Sequence, residues 1–459
     1  MRDWLHRSCW AGAGICSIVL LSGCAGDGPS LPKLGDLNPF AEKQVPLPGR
    51  RVPVMAPKGP ETTELADAFT PITLPAPRIN DNWSQPGGEP SNAPGNLAFN
   101  GGTNTAWTAN AGTGSSGSGR LTARPIIYGG NIYALDAEGN VSAFSTSGSS
   151  LWRTSLKPKR ESGGGSWFSL GLGGGSDGGG FGGGLAIDNG RLYAASGFGN
   201  VVALDPQTGK AIWEKQLEAP IRSSPTAVGD RVYVIALDGR FFCLAGADGG
   251  ELWSVRGLPQ QASLINNASP AVDGNVVVVP YPSGDLLALS ISDGTSLWSE
   301  NLARTRTTSQ IASMSDAARP AIDGGIVFAV GHAGRMVATH ADSGERLWTA
   351  NIPSIQTPWV AGGSVFVVDT QGQLMGLSRN DGKTQWTVKL PGNGPWAGPT
   401  LAGGTLWLTS AGGALVGVEA TTGRIVTQKE LGQPVFIAPV VAQGRMYVLT
   451  DKANLLAIN

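Results

Sequence analysis

The sequence predicts an all-β fold, an eight-bladed β-propeller of four-stranded antiparallel blades closed by an N-terminal strand joining the C-terminal blade. Three observations predict it. A Gly-x-x-x-Trp step recurs in units of about 40 residues, as Gly148/Trp152, Gly209/Trp213, Gly249/Trp253, Gly294/Trp298, Gly344/Trp348 and Gly382/Trp386, and as Gly423 with Thr427 in the tryptophan place. Gly numbers 68 and Trp 14 among 459 residues, and only 15% of residues are charged, a balance that suits short strands and tight turns better than solvated helices. Eight strands of the Ala-Leu-Asp type end near Phe144, Leu204, Leu244, Leu289, Thr339, Leu377, Val418 and Ile458.

At the N-terminus, Arg2 and Arg7 flank a short start, and Cys9 to Leu21 is apolar or small. Such a run is too short to span a bilayer and matches the apolar region of a signal peptide. It ends in Leu21-Ser22-Gly23-Cys24, which resembles the lipobox of bacterial lipoproteins. Residues 1–23 are therefore expected to be a signal peptide, with Cys24 the lipidated residue anchoring the chain in the outer membrane. Residues 24–95 read as a Pro-rich tether, with 14 prolines between Ala25 and Pro94. Within it, the stretch from Ile72 to Trp83 is apolar enough to lie along a folded body.

Residues 96–459 carry the repeats. Each unit opens with a proline (Pro125, Pro225, Pro270, Pro320, Pro358, Pro399, Pro439), continues through an alternating run such as Arg231-Val-Tyr-Val, and turns at Gly or Asp-Gly. These turns supply the positive φ angles of two-residue hairpins, so each unit is a four-stranded meander. A lone meander cannot bury both faces, but packing meanders around an axis does so. The last unit ends at Asn459 without a fourth strand, while Trp107 sits in a strand with no preceding three, so Asn104–Ala109 completes the final blade. Trp107, Trp152, Trp213, Trp253, Trp298, Trp348 and Trp386, one per unit, are assigned to docking between blades. The glycine-rich stretch 162–185 is read as a surface insertion where one blade hands over to the next.

The chemistry the sequence excludes is as informative. Lys and Arg total 33 against 34 Asp and Glu, so no global positive field exists for nucleic acid. The docking repeat around Asp205-Pro-Gln-Thr-Gly209 resembles that of quinoprotein alcohol dehydrogenases, which carry pyrroloquinoline quinone (PQQ) and calcium. The vicinal cysteine pair of those enzymes is missing, since Cys243 is the one cysteine beyond Cys24, and it reads as a small buried hydrophobe. His332 and His340 adjoin in one blade and read as structural or exposed. No catalytic residue, cofactor or metal is expected, and the chain is read as a non-enzyme.

Several motifs carry a more specific resemblance. Ile72-Thr-Leu-Pro with Trp83-Ser-Gln-Pro-Gly-Gly, Ser269-Pro270-Ala-Val-Asp-Gly, Met314-Ser-Asp316 followed by Arg319-Pro320, and Ile355-Gln-Thr-Pro-Trp359-Val-Ala-Gly are similar to the BamB family in its alphaproteobacterial form. That resemblance implies a lipoprotein subunit of the β-barrel assembly (BAM) machinery. Its partners would be the periplasmic POTRA domains of BamA and nascent outer-membrane β-barrel proteins; strand addition to an exposed sheet edge is one route for the latter, although a closed propeller offers few such edges. Loop length points to one rim: Trp253 to Pro270 takes 17 residues and Trp298 to Pro320 takes 22, against 12 and 10 after Trp213 and Trp348. In the family the corresponding loops dock on the central subunit. Leu264 takes the leucine place, Ile265 the arginine place and Asp316 an aspartate place; the second aspartate matches Ala317 or falls in a gap, and Arg319 could supply a compensating charge. The alternatives are a PQQ-dependent periplasmic dehydrogenase and a cell-wall polysaccharide-binding propeller.

Overall fold

The computed structural model describes residues 72–117, 119–158, 182–257, 268–302, 316–392 and 394–459. Thirty-two strands form eight antiparallel sheets of four, the blades of one propeller. In blade 1 the strands are Ile126–Tyr128, Asn131–Leu135, Asn140–Ser145 and Ser150–Ser155, running from the axis outward. Blades 2 to 7 repeat this order and begin at Gly183, Thr226, Ala271, Ala321, Trp359 and Trp396. Blade 8 is stitched from both chain ends, with Val440–Ala442, Arg445–Leu449 and Asn454–Ile458 completed by Thr105–Asn110.

Burial follows radius. Inner and middle strands are buried on both faces, as in Val201 to Leu204, because each sheet is covered by the sheets beside it. The outer strand alternates exposed and half-buried residues, as in Ala211–Gln216. In all eight blades the register slips by one residue immediately before the tryptophan place, skipping Ala106, Leu151, Ile212, Leu252, Leu297, Leu347, Gln385 and Val426. Such a bulge re-aims the side chains next to it. In six blades it turns a Leu, Ile or Val outward, with Leu252 50% exposed, and wherever a tryptophan follows it swings the indole toward the next blade.

The tryptophans close the ring one junction at a time. Each indole N–H donates to a carbonyl of the following blade at 2.7–3.2 Å: Trp107 to Thr146, Trp152 to Pro206, Trp213 to Gly246, Trp253 to Ile291, Trp298 to Ala341, Trp348 to Arg379 and Trp386 to Ala420. The indole lies against the glycine of that blade, where a Cβ would come within 2.4–2.7 Å of a ring atom. The exception has a cause. Thr427 faces the junction with blade 8, where the glycine turn is replaced by the two chain ends, and Lys429 reaches across instead to donate to the Thr103 carbonyl.

The beginning of blade 2 differs from the sequence expectation. Gly183, Gly184 and Leu185 are not insertion but the first half of the inner strand Gly183–Asp188. Side chains are excluded there, since a Cβ on Gly183 would fall 2.0 Å from the Ala195 carbonyl and one on Gly184 1.9 Å from Ser224 Oγ. Those glycines are a tight strand contact that resembles a flexible tract only in composition.

Residues 78–97 make one turn around the axis and touch every blade in order. Asn80 Nδ2 donates to Val441 of blade 8, Trp83 pairs with Ile127 of blade 1, and Ser84 accepts from Ile187 of blade 2. Gln85 Nε2 bridges Ile187 and Ala227, Pro90 and Ser91 accept from Val272 and Ile322, and Asn92 Nδ2 bridges Pro270 and Pro320. Gly95 accepts from Trp359 Nε1 of blade 6 and Leu97 pairs with blade 7. The segment closes the axial channel at the end where the inner strands turn back.

Candidate functional site at the linker rim and channel mouth

The opposite rim is built from the linkers that carry each outer strand to the next inner strand. Linker amides seat on the turns between second and third strands: Leu217 on Gly199, Gly257 on Gly239, Leu302 on Gly284, Leu390 on Gly372. The linkers of 17 and 22 residues between tryptophan and proline follow blades 3 and 4, which are neighbours in the ring, and most of each lies outside the described residues. Leu264 and Ile265 lie outside the described residues, as does Cys24. Asp316 and Arg319, at the return of the second long linker, are 3% and 6% exposed. The Asp316 carbonyl accepts from the His332 amide, and Arg319 donates from Nε to Ser269 Oγ at 2.7 Å.

Arg319 therefore faces the channel. Its guanidinium Nη1 lies 3.4 Å from the Pro86 carbonyl, and Nη1 of Arg124 lies 3.4 Å from the same oxygen. The two arginines precede the inner strands of blades 1 and 5, opposite one another in the ring. Pro86, on the sealing segment, forms the floor between them. Above it opens a cavity of about 450 Å³, lined by Arg124, Arg319, Leu121, Ile355, Trp396 and Phe436 among others. Burial pushes the Arg124 guanidinium down to about 10, and burial together with the neighbouring Arg124 charge pushes Arg319 well below its ordinary value. Sequence reasoning missed this pair. The available signal was the dipeptide Arg-Pro at the inner-strand start, present as Arg124-Pro125 and Arg319-Pro320, where other blades have Ser224-Pro225, Ser269-Pro270 or Thr357-Pro358.

The remaining chemical candidates stay apart from this site. Cys243 is wholly buried and pairs in register with Trp253. Burial raises its thiol from 9.0 to about 12, with Arg231 and Tyr233 opposing the shift. A chain beginning at Ile72, in which Cys243 is the sole cysteine, is expected to resist a disulfide reagent at pH 8 until denatured. Labelling of the native protein would refute the burial argument. Because the folded value lies above the free one, the stability this thiol contributes is full below pH about 9 and is lost as pH rises toward 12. His332 sits in a turn and His340 ends the third strand of blade 5. No group of three or more His, Cys, Asp or Glu side chains able to hold a metal ion exists among the described residues.

An eight-bladed ring docked by tryptophan on glycine defines the class of tryptophan-docked β-propellers. Within that class, residues 137–388 and 376–459 match the family described as outer membrane protein assembly factor BamB, and the chain belongs to that family. Among relatives, BamB of Bordetella pertussis is 27% identical over 208 residues, 45% of this chain and 47% of that protein. An uncharacterized protein of Rickettsia prowazekii is 28% identical over 188 residues, 40% of this chain and 41% of that one. The chain thus spans under half the length of these curated relatives. Among solved structures, BamB from Moraxella catarrhalis superposes with TM-score 0.63 at 17% identity, covering 77% of this chain and 99% of that one. A quinohemoprotein alcohol dehydrogenase from Comamonas testosteroni gives 0.65 at 14%, covering 82% and 80%. These structures establish the shared fold.

Proposed function

We propose that this protein is a non-enzymatic scaffold subunit of outer-membrane barrel assembly. Cys24 anchors it by lipid at the periplasmic face of the outer membrane, the linker rim binds the POTRA domains of BamA, and the assembled complex helps nascent barrel proteins fold and insert. The observation that carries this reading is membership of the assembly-factor family over most of the propeller. The docking face is assigned from the two enlarged, neighbouring linkers, because variable loops on a rigid scaffold are where propellers place recognition. Asp316 and Arg319 are buried, so in this reading they hold the base of the second linker, and Leu264 and Ile265 supply contact.

The test is affinity recovery from detergent-extracted membranes. Wild-type chain is expected to recover BamA, Leu264→Asp/Ile265→Asp to recover at least tenfold less, and Leu151→Asp, on an outer strand away from the rim, to recover it undiminished. Equal recovery by both variants moves the docking face elsewhere. Absence of BamA with the wild-type chain overturns the scaffold reading.

A further inference from the structure

In every blade the turn between the second and third strands faces the linker rim, and the residue that opens it usually serves that turn alone. Asp136, Ser196, Asp369, Ser410 and Thr450 each accept an amide of their own turn through a side-chain oxygen. Blades 3 and 5 have Ala236 and Gly331 in this place. Blade 4 has Tyr281, and its turn is capped instead by Ser283 Oγ, which accepts from the Asp285 amide. The tyrosine touches both long linkers. Its ring lies against Gly257, where the linker after blade 3 departs and where a Cβ would fall 2.4 Å from Tyr281 Cε1. Its carbonyl accepts at 3.4 Å from the amide of Ala317, where the linker after blade 4 returns. Leu302, where that linker departs, donates at 2.8 Å to Gly284 of the same turn. The side chain is buried, yet its hydroxyl has no hydrogen-bond partner. A buried hydroxyl without an acceptor adds no stability, so whatever Tyr281 contributes here comes from its ring.

We infer that Tyr281 is the positioning residue of the docking rim, its ring setting the departure of the first long linker and its turn holding both ends of the second. Contact residues carried on loops need such support, because a binding face is only as well defined as the groups that hold it. The ring does this from a site where the other blades need only a small or turn-capping residue. The effect on binding rests on the reading of this rim as the BamA face, whereas the effect on the linkers themselves does not.

Two variants of the full chain test this, with tryptic cleavage and BamA recovery as separate readouts. Tyr281→Ser installs the residue that blades 2 and 7 carry at this place, as Ser196 and Ser410. It is expected to speed cleavage after Arg304 and Arg306, in the linker after blade 4, at least tenfold, and to lower BamA recovery at least tenfold. Cleavage after Lys210 and Lys383, in hairpin turns on the opposite face, is expected to stay at the wild-type rate. Tyr281→Phe is expected to match wild type in both readouts, because the hydroxyl has no bond to lose. Unchanged linker cleavage in Tyr281→Ser overturns the inference, and so does cleavage that rises equally at all four sites, which marks a general loss of fold. Loss of recovery in Tyr281→Phe overturns the assignment to the ring. Faster linker cleavage in Tyr281→Ser, with no BamA recovered even by wild type, supports the positioning role and refutes the scaffold reading alone.

Discussion

A chain beginning at Gly101 is expected to yield no cooperative propeller, whereas one beginning at Ile72 melts in a single transition close to that of the full chain. The shorter chain keeps all thirty-two strands, so loss of folding would be attributable to the segment lining the axis. Removing that segment strands the acceptors it satisfied. Carbonyls of Ile187, Ala227, Pro270 and Pro320 lose the Gln85 and Asn92 amides, and amides of Val272 and Ile322 lose Pro90 and Ser91. Each buried polar group left without a partner costs about 1–3 kcal/mol. Trp83, wholly buried and stacked on Trp359 at 6.3 Å, adds the loss of a core aromatic, about 3–5 kcal/mol. Against a typical total of about 5–15 kcal/mol, these losses remove the native state. Circular dichroism melts with limited proteolysis read the outcome, and a sharp melt of the Gly101 chain within about 5 °C of the Ile72 chain would show the segment to be passive.

The second large effect is local. Gly209 and Gly190 both have φ of +70°, so alanine at either meets the same left-handed backbone cost, about 1–2 kcal/mol. Their surroundings differ. A Cβ at Gly190 meets nothing within 4 Å, while one at Gly209 meets Trp152 Cε3 at 2.4 Å. Gly209→Ala is therefore expected to lose a further 1–3 kcal/mol or so, the usual range for overpacking. Urea midpoints at unchanged slope measure both. In a Trp152→Ala background the excess should vanish, and persistence of the full excess there would mean that the indole is not what the glycine accommodates.

The blades were legible because their signals repeat. Glycine, tryptophan and the intervening hairpin recur often enough to count, and the orphan strand at Trp107 identified its own partner. The sealing turn was not legible, since residues 78–97 have no period: Gln85 and Asn92 act through amides bonded to strands 102 to 228 positions away. Thr427 looked like a degenerate repeat, yet it sits where blade 8 is joined from two ends and offers no glycine to stack upon. Arg319 was noticed within a motif, but its direction depends on the inner-strand start pointing to the axis, which only the closed ring reveals. Gly183 and Gly184 were misread because composition alone cannot distinguish a loose tract from a strand with no room for a Cβ.

The slipped register of every outer strand bears on how such a molecule survives among its proposed clients. A regular outermost strand would present a row of free amides and carbonyls to any unfolded β-segment nearby, the usual beginning of aggregation. Here that row is interrupted at the same place in all eight blades, so an incoming strand cannot keep step along its length. In the proposed role, the propeller would thereby be kept from being recruited into the sheets of half-folded barrels, and a strand it received would meet its rim or its loops rather than add to a blade edge.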